Sequence, residues 1–318
     1  IVKEKSLSLK NIASKIRSLT QEKRVLNKIE IGKLFEHNIE SVGLEKLREL
    51  QGLDYLTDEI ERLVRYAKSK KIESQEIYSS EVNRIIPQAK HLKTDVNLNI
   101  ALIGNPGTGK TTVTRIFGEI LKELKVLSKG HFKEATREDL VGNCVGDTAL
   151  KTKEILEKAK GGILFIDEAY SLSKGGENDF GKEAIDTIVP FMENNREDFT
   201  LIVAGYDEDM DKFLDANTGL KSRFNNTIIF EDYNEVQLIE IFKTFSKEFN
   251  FDYNVEMQLK EIFTTMKKNN KHFGNGRDVR NLFDVIRTNL DRRVLEINDL
   301  ESNDKRLFEI RLEDLPSI

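Results

Sequence analysis

The segment Gly104-Asn105-Pro106-Gly107-Thr108-Gly109-Lys110-Thr111 constrains this chain most, because the stretches on both sides of it agree with it. Before it stands a short, dense apolar run, Leu98 to Ile103, of the kind that forms a buried strand. After it comes a helical pattern from about Gly109 to Leu127. A strand, a glycine-rich turn and a helix in that order make a phosphate cradle. Glycines let backbone N–H groups turn inward around phosphate oxygens with no Cβ in the way, and the helix adds the positive end of its dipole. The expected phosphate-binding residues are therefore Gly104, Asn105, Pro106, Gly107, Thr108, Gly109, Lys110, Thr111 and Thr112. Lys110 is placed to reach the β- and γ-phosphates, and the Thr111 hydroxyl to ligate Mg²⁺.

A second apolar run, Ile163-Leu164-Phe165-Ile166, ends in two carboxylates, Asp167 and Glu168. A buried strand would set Asp167 at the carboxyl edge of the sheet, beside the cradle, where it holds the Mg²⁺ hydration shell. Glu168 is then left to polarise an attacking water. No Asn-Lys-x-Asp guanine-reading motif occurs in the sequence, so ATP is expected in preference to GTP.

Further apolar runs at Leu201 to Ala204 and Thr227 to Phe230 alternate with helical segments, the signature of a parallel sheet covered on both faces. After Tyr233 three helical patterns follow: Leu238, Ile241, Phe242 and Phe245; Leu259, Ile262, Phe263 and Met266; Val279, Leu282, Phe283, Ile286 and Leu290. These predict an α/β core followed by a small all-α domain. Upstream, Leu53, Leu56, Ile60, Leu63, Val64 and Ala67 fall on one helix face, and the folded module is expected to begin near Val42. Periodicity fails around Pro87 to Thr94, which reads as a connection. Residues 1–44 carry Leu9, Ile12, Ile16 and Leu19 at loose helical spacing, either a partner-binding helix or, more plainly, a packed or frayed extension. The expected division is an extension at 1–44, a core at 45–231 and a helical lid at 232–318.

Composition sets outer bounds. A net charge of −5 argues against a generally basic nucleic-acid binder. Cys144 is the single cysteine and cannot form an internal disulfide, so the cytoplasm is the expected location. No stretch has the eighteen or so unbroken apolar residues of a membrane span. The chain opens on Ile1 with no initiator Met, and a fragment of a longer protein is expected.

From roughly Val42 to Pro316 the sequence resembles the AAA+ ATPases, within them the group containing the red-type Rubisco activase CbbX, stage V sporulation protein K and the type VII secretion ATPase EccA. The cradle through Thr112, Asp139-Leu140-Val141-Gly142, Gly162 through Tyr170, Ala204-Gly205-Tyr206 and Gly219-Leu220-Lys221-Ser222-Arg223-Phe224 carry this resemblance. It implies a five-stranded parallel core with a helical lid, ATP hydrolysis with Mg²⁺, and a homo-oligomeric ring, usually a hexamer, acting on a client protein. It also implies that Arg223 reaches into the neighbouring subunit's site as an arginine finger, a device worth about 10³ to 10⁵ in turnover. Gly274-Asn275-Gly276-Arg277-Asp278-Val279-Arg280-Asn281 resembles the second-sensor region, which makes Arg277 the expected γ-phosphate contact and leaves Arg280 to packing or an ion pair.

Two positions depart from the wider pattern. Many AAA+ proteins carry Asn or Thr at the end of the fourth strand, where this chain has Ala204-Gly205-Tyr206, leaving Tyr206 as the candidate hydroxyl. In the loop Gly142-Asn143-Cys144-Val145-Gly146, Cys144 stands where threading motors place an aromatic residue. A small thiol offers too little contact area to grip an extended chain. Brief remodelling or assembly is therefore expected over processive threading, and an ATP-dependent oligomerisation switch with slow turnover is the alternative.

Overall fold

The computed structural model describes residues 41–50, 52–79, 97–144, 146–175, 179–270, 273–297 and 304–316. Expectations for residues 1–40, the connection at Pro87 to Thr94, and Val145 lie outside them. The strands are β1 (Ile100–Gly104), β2 (Phe132–Ala135), β3 (Ile163–Ile166), β4 (Thr200–Gly205) and β5 (Asn226–Phe230). All pair in parallel, in the order β2-β3-β4-β1-β5.

Side chains alternate between the two sheet faces along each strand. Ile100, Leu102, Ile163, Phe165, Ile202, Ala204, Ile228 and Phe230 enter one apolar cluster. Ala101, Ile103, Leu164, Ile166, Leu201 and Val203 enter a second. Because helices cover both faces, the inner strands need apolar residues at every position, which is why they read as continuous runs. The strand absent from the sequence expectations is β2. It lies at the sheet edge, only its Ala135 is buried, and its Lys133 and Glu134 break any apolar run.

The first face is covered by α1 (Val42–Arg48), α2 (Asp54–Ser79) and α3 (Lys110–Glu123). The Ser41 side chain caps α1 by accepting from the Leu44 amide at 3.2 Å. All six apolar residues expected on the α2 face are buried, from Leu53 to Ala67. Helix α3 stops earlier than its pattern predicts. Lys125 takes a left-handed φ of 57°, and the Val126 amide turns back to the Leu121 carbonyl at 2.8 Å. Val126 and Leu127 stay buried but pack from a turn. On the second face lie α4 (Arg137–Leu140), α5 (Asp147–Ala159), α6 (Gly181–Asn195), α7 (Asp207–Asp215) and α8 (Thr218–Lys221).

Three further helices, α9 (Glu235–Phe245), α10 (Tyr253–Asn269) and α11 (Gly276–Leu295), form the lid. Asn234 and Asp252 cap the first two through their side chains, accepting from Gln237 and Val255 amides at 3.0 Å each. Phe242 is the centre of the lid, with Phe251 and Phe283 edge-on to it, each at 5.7 Å. Lid residues and the first sheet face belong to one continuous apolar cluster. No helix among the described residues is long and apolar enough to cross a membrane.

Candidate functional site

Parallel pairing puts the carboxyl ends of β1 and β3 on one edge of the sheet, with β4 between them. The loop from Gly104 to Gly109 leaves β1 there and runs into α3. Gly107 sits at φ 70°, and a Cβ on it would lie 2.0 Å from the Gly274 carbonyl oxygen of the lid, so no other residue fits. Gly109 caps α3 at φ 98°. The first helical bond of α3 closes at Val113, on the Gly109 carbonyl at 2.9 Å, leaving the amides ahead of it to face outward from the helix end. Those amides and the helix dipole suit an anion.

Lys110 is buried, and its Nζ donates to the carbonyls of Gly104 (2.8 Å) and Asn105 (2.7 Å). Burial pushes its pKa down; the Asp167 carboxylate opposes this, Arg277 adds to it and Asp232 opposes it more weakly. These four charges therefore share one neighbourhood, which unites the loop lysine, the end of β3 and the lid. Thr108 is fully buried, its hydroxyl donating to the Asn105 carbonyl at 2.8 Å. Thr111 is half-buried and Thr112 exposed in the first turn of α3.

Asp167 and Glu168 follow β3 directly. Asp167 is half-buried, and its Oδ1 accepts from the Glu168 amide at 3.0 Å. Glu168 is exposed and held at φ 48°, a left-handed conformation that a non-glycine residue rarely takes. Ser171 and Glu168 close the next turn, amide to carbonyl at 2.8 Å. Tyr170 is buried behind this turn, its phenol raised by burial and then by the Glu168 charge. Its ring meets that of Tyr206, at the end of β4, with centroids 5.8 Å apart. Tyr206 thus ends in contact with the carboxylate turn through Tyr170.

The lid reaches the loop at Gly274-Asn275-Gly276. Gly276 donates its amide to the Gly107 carbonyl at 3.0 Å, and Tyr233 donates its hydroxyl to the Thr108 carbonyl at 2.9 Å. Burial, with a smaller push from Tyr55, raises the Tyr233 phenol to about 12, so it stays a donor. Arg277 follows in the first turn of α11. Arg280, one turn further, lies over the Phe245 ring at 5.8 Å, the packing alternative of the two expected for it. Asp232 and Asn275 were not singled out from the sequence. The only local signal was Asn275 between two glycines, a turn pattern.

Arg223 is not brought to this place. It precedes β5, and its carbonyl accepts from Asn97 Nδ2 at 2.7 Å, ahead of β1. Asn97 and Gly104 are roughly 20 Å apart by strand rise. Arg223 is therefore at the amino edge of the sheet, and the cradle is at the carboxyl edge. Its guanidinium binds Glu193 of α6 and the Gly219 carbonyl, each at 3.0 Å. Cys144 is exposed in the turn between α4 and α5.

A half-buried carboxylate and a hydroxyl beside an anion cradle are the hard oxygen donors that Mg²⁺ takes, with phosphates completing its shell. Asp167 and Thr111 fit that requirement by position and chemistry. The sequence agrees with the geometry. Residues 100–232 match the model of the ATPase family associated with various cellular activities (AAA), and residues 234–318 match the AAA lid domain. The chain is 48% identical to stage V sporulation protein K of Bacillus subtilis over 69% of its own length and 68% of that protein's. It is 42% identical to protein CfxQ of Xanthobacter flavus, over 64% of its own length and 65% of that protein's. Protein CbbX of Cereibacter sphaeroides is 39% identical over 69% of this chain and 71% of its own. With the phosphate loop, the paired carboxylates and the lid in their places, the chain belongs to the AAA family of ATPases and is an ATP-hydrolysing enzyme.

Proposed function

We propose that the protein works as a homo-oligomeric ring, a hexamer on the family pattern, that uses ATP hydrolysis to remodel or assemble a client protein in the cytoplasm. Within each subunit, Lys110 and the amides from Gly104 to Thr112 hold the phosphates. Thr111 and Asp167 hold Mg²⁺, which supplies Lewis-acid neutralisation of phosphate charge when bound. Glu168 orients and polarises the attacking water, and Arg277 contacts the γ-phosphate from the lid. Arg223 serves the neighbouring subunit's ATP. Hydrolysis alters the angle between core and lid and so moves the surfaces that engage the client. Residues 1–44 are assigned as an extension that ends inside α1, where Leu44 joins the core, 45–231 as the core and 232–318 as the lid.

The observation that carries the ring is the place of Arg223, at the sheet edge opposite its own phosphate loop and tied there through its backbone to Asn97. A cation so placed serves a second molecule's nucleotide better than its own. The test is subunit mixing. Lys110→Ala and Arg223→Ala proteins are each expected to lose turnover, and a mixture of the two to regain part of it, because some sites then combine an intact lysine with a neighbour's arginine. No recovery at any ratio, with specific activity independent of protein concentration, would sink the shared site.

The exposed Cys144 favours the second reading, a nucleotide-gated assembly switch. Stimulation of hydrolysis by a partner supports remodelling. Slow, unstimulated turnover with nucleotide-dependent assembly supports the switch.

A further inference from the structure

Asn275 is fully buried, yet it is a polar residue in a conformation made for glycine. Its φ of 49° and ψ of −123° are those of the first central position of a type II′ turn. The turn is Gly274-Asn275-Gly276-Arg277, closed by the Arg277 amide on the Gly274 carbonyl at 2.9 Å. Strain of this kind persists only where the surroundings over-determine it. Here the side chain supplies the determination. Its Oδ1 accepts from the Tyr233 amide at 3.0 Å. Its Nδ2 donates to Asp232 at 2.8 Å and to the carbonyls of Phe273 (3.3 Å) and Pro106 (3.4 Å).

Asp232 completes the circuit. Its two oxygens also accept from Asn105 Nδ2, at 3.0 and 2.9 Å. One hinge carboxylate is thus shared by an amide of the phosphate loop and an amide of the lid. The Gly276 amide on the Gly107 carbonyl ties the same two segments directly. A glycine at position 275 would keep the turn with less strain and would lose every side-chain bond. The side chain is therefore present for what it joins, and the residue two places on is Arg277.

We infer that Asn275 is a positioning residue: it locks the first turn of α11 to the phosphate loop through Asp232, so that Arg277 and the loop are held in one fixed relation. The inference rests on the reading of Arg277 as the γ-phosphate contact. Small displacements of such a group cost up to about 10²-fold in rate with little effect on ground-state binding. Loss of the lock should accordingly lower kcat more than it alters nucleotide affinity.

The experiment compares wild type, Asn275→Gly, Arg277→Ala and the double variant in the full chain. Steady-state kcat and KM for ATP, affinity for a fluorescent ADP analogue and urea unfolding are read for each. Asn275→Gly is expected to unfold at a lower urea concentration than wild type while staying folded without urea, to bind the ADP analogue normally and to lose roughly 10- to 100-fold in kcat. The double variant should be no slower than Arg277→Ala, since both act on one contact. Wild-type kcat in Asn275→Gly beside an impaired Arg277→Ala overturns the inference alone. Losses that multiply in the double variant overturn it too, because Asn275 would then act through something else. Unimpaired Arg277→Ala overturns the reading of Arg277 and the inference with it.

Discussion

Gly107→Ala tests the seam between lid and phosphate loop. The added Cβ would lie 2.0 Å from the Gly274 oxygen and 2.8 Å from the Arg277 nitrogen. Ordinary contacts lie near 3.5 Å, so lid and loop must separate by about 1.5 Å. That movement stretches the 3.0 Å bond from Gly276 to Gly107 past hydrogen-bonding range. Losing that bond costs about 1 kcal/mol, and holding alanine at φ 70° costs about another 1 to 2, for a total of about 2 to 3 kcal/mol. Gly146→Ala is the control. Gly146 has a similar φ of 87° with nothing within 4 Å of its ideal Cβ, so it isolates the backbone strain of about 1 to 2 kcal/mol. The chain has no tryptophan, so urea unfolding is followed by far-ultraviolet circular dichroism. Equal losses in the two variants would refute the reasoning, because the lid would then exert no force on the loop.

Glu168→Gln should retain ATP binding and lose turnover by about 10² to 10⁴, the usual worth of a positioned base, and normal turnover would remove Glu168 from the reaction. Lys110 gives a pH prediction. Burial lowers its pKa from 10.5, so its cation is lost at a lower pH than in a free lysine, and on the role proposed for Lys110 the alkaline limb of kcat/KM begins below that value. The unfolded chain keeps that proton longer, so between the lowered pKa and 10.5 the stability contributed by Lys110 rises with pH. Urea unfolding of wild type and Lys110→Met across that window should show the rise in the first only, and an alkaline limb at or above 10.5 would contradict the burial argument.

How much was legible follows from where each signal resides. The strand, turn and helix around Gly104 to Thr112 were readable because their signal is local, carried by neighbours in the chain. Strands β1, β3 and β4 were readable as apolar runs because each is buried on both faces, and β5, an edge strand, was readable because its sequence is apolar although Thr227 and Ile229 are exposed. Strand β2 was not, since an edge strand with Lys133 and Glu134 needs no such run. The end of α3 was missed because Lys125 adopts the left-handed stop usually given to glycine. Asp232 could not be read at all, and Asn275 was legible only as part of a turn, not as a partner of Asp232. Asn105 and Asp232 are 127 residues apart, and their pairing exists only after folding. Arg223 was singled out only by resemblance, and its position at the far sheet edge needed the strand register.

The single apolar cluster that runs from the first sheet face into the lid limits how the lid can move. A lid on a wet hinge can swing freely, because little surface changes partners as it turns. Here Leu53, Phe230, Tyr233 and Leu238 belong to the same dry interior as Phe242 and Phe283, so a wide swing would open that interior to water. A change of core–lid angle compatible with this packing is small and proceeds by shear: sliding steps between interdigitated side chains, each step a discrete repacking. Such a joint transmits force in both directions. A load applied to the lid by a bound partner would bear on the phosphate loop as directly as the loss of a phosphate bears on the lid.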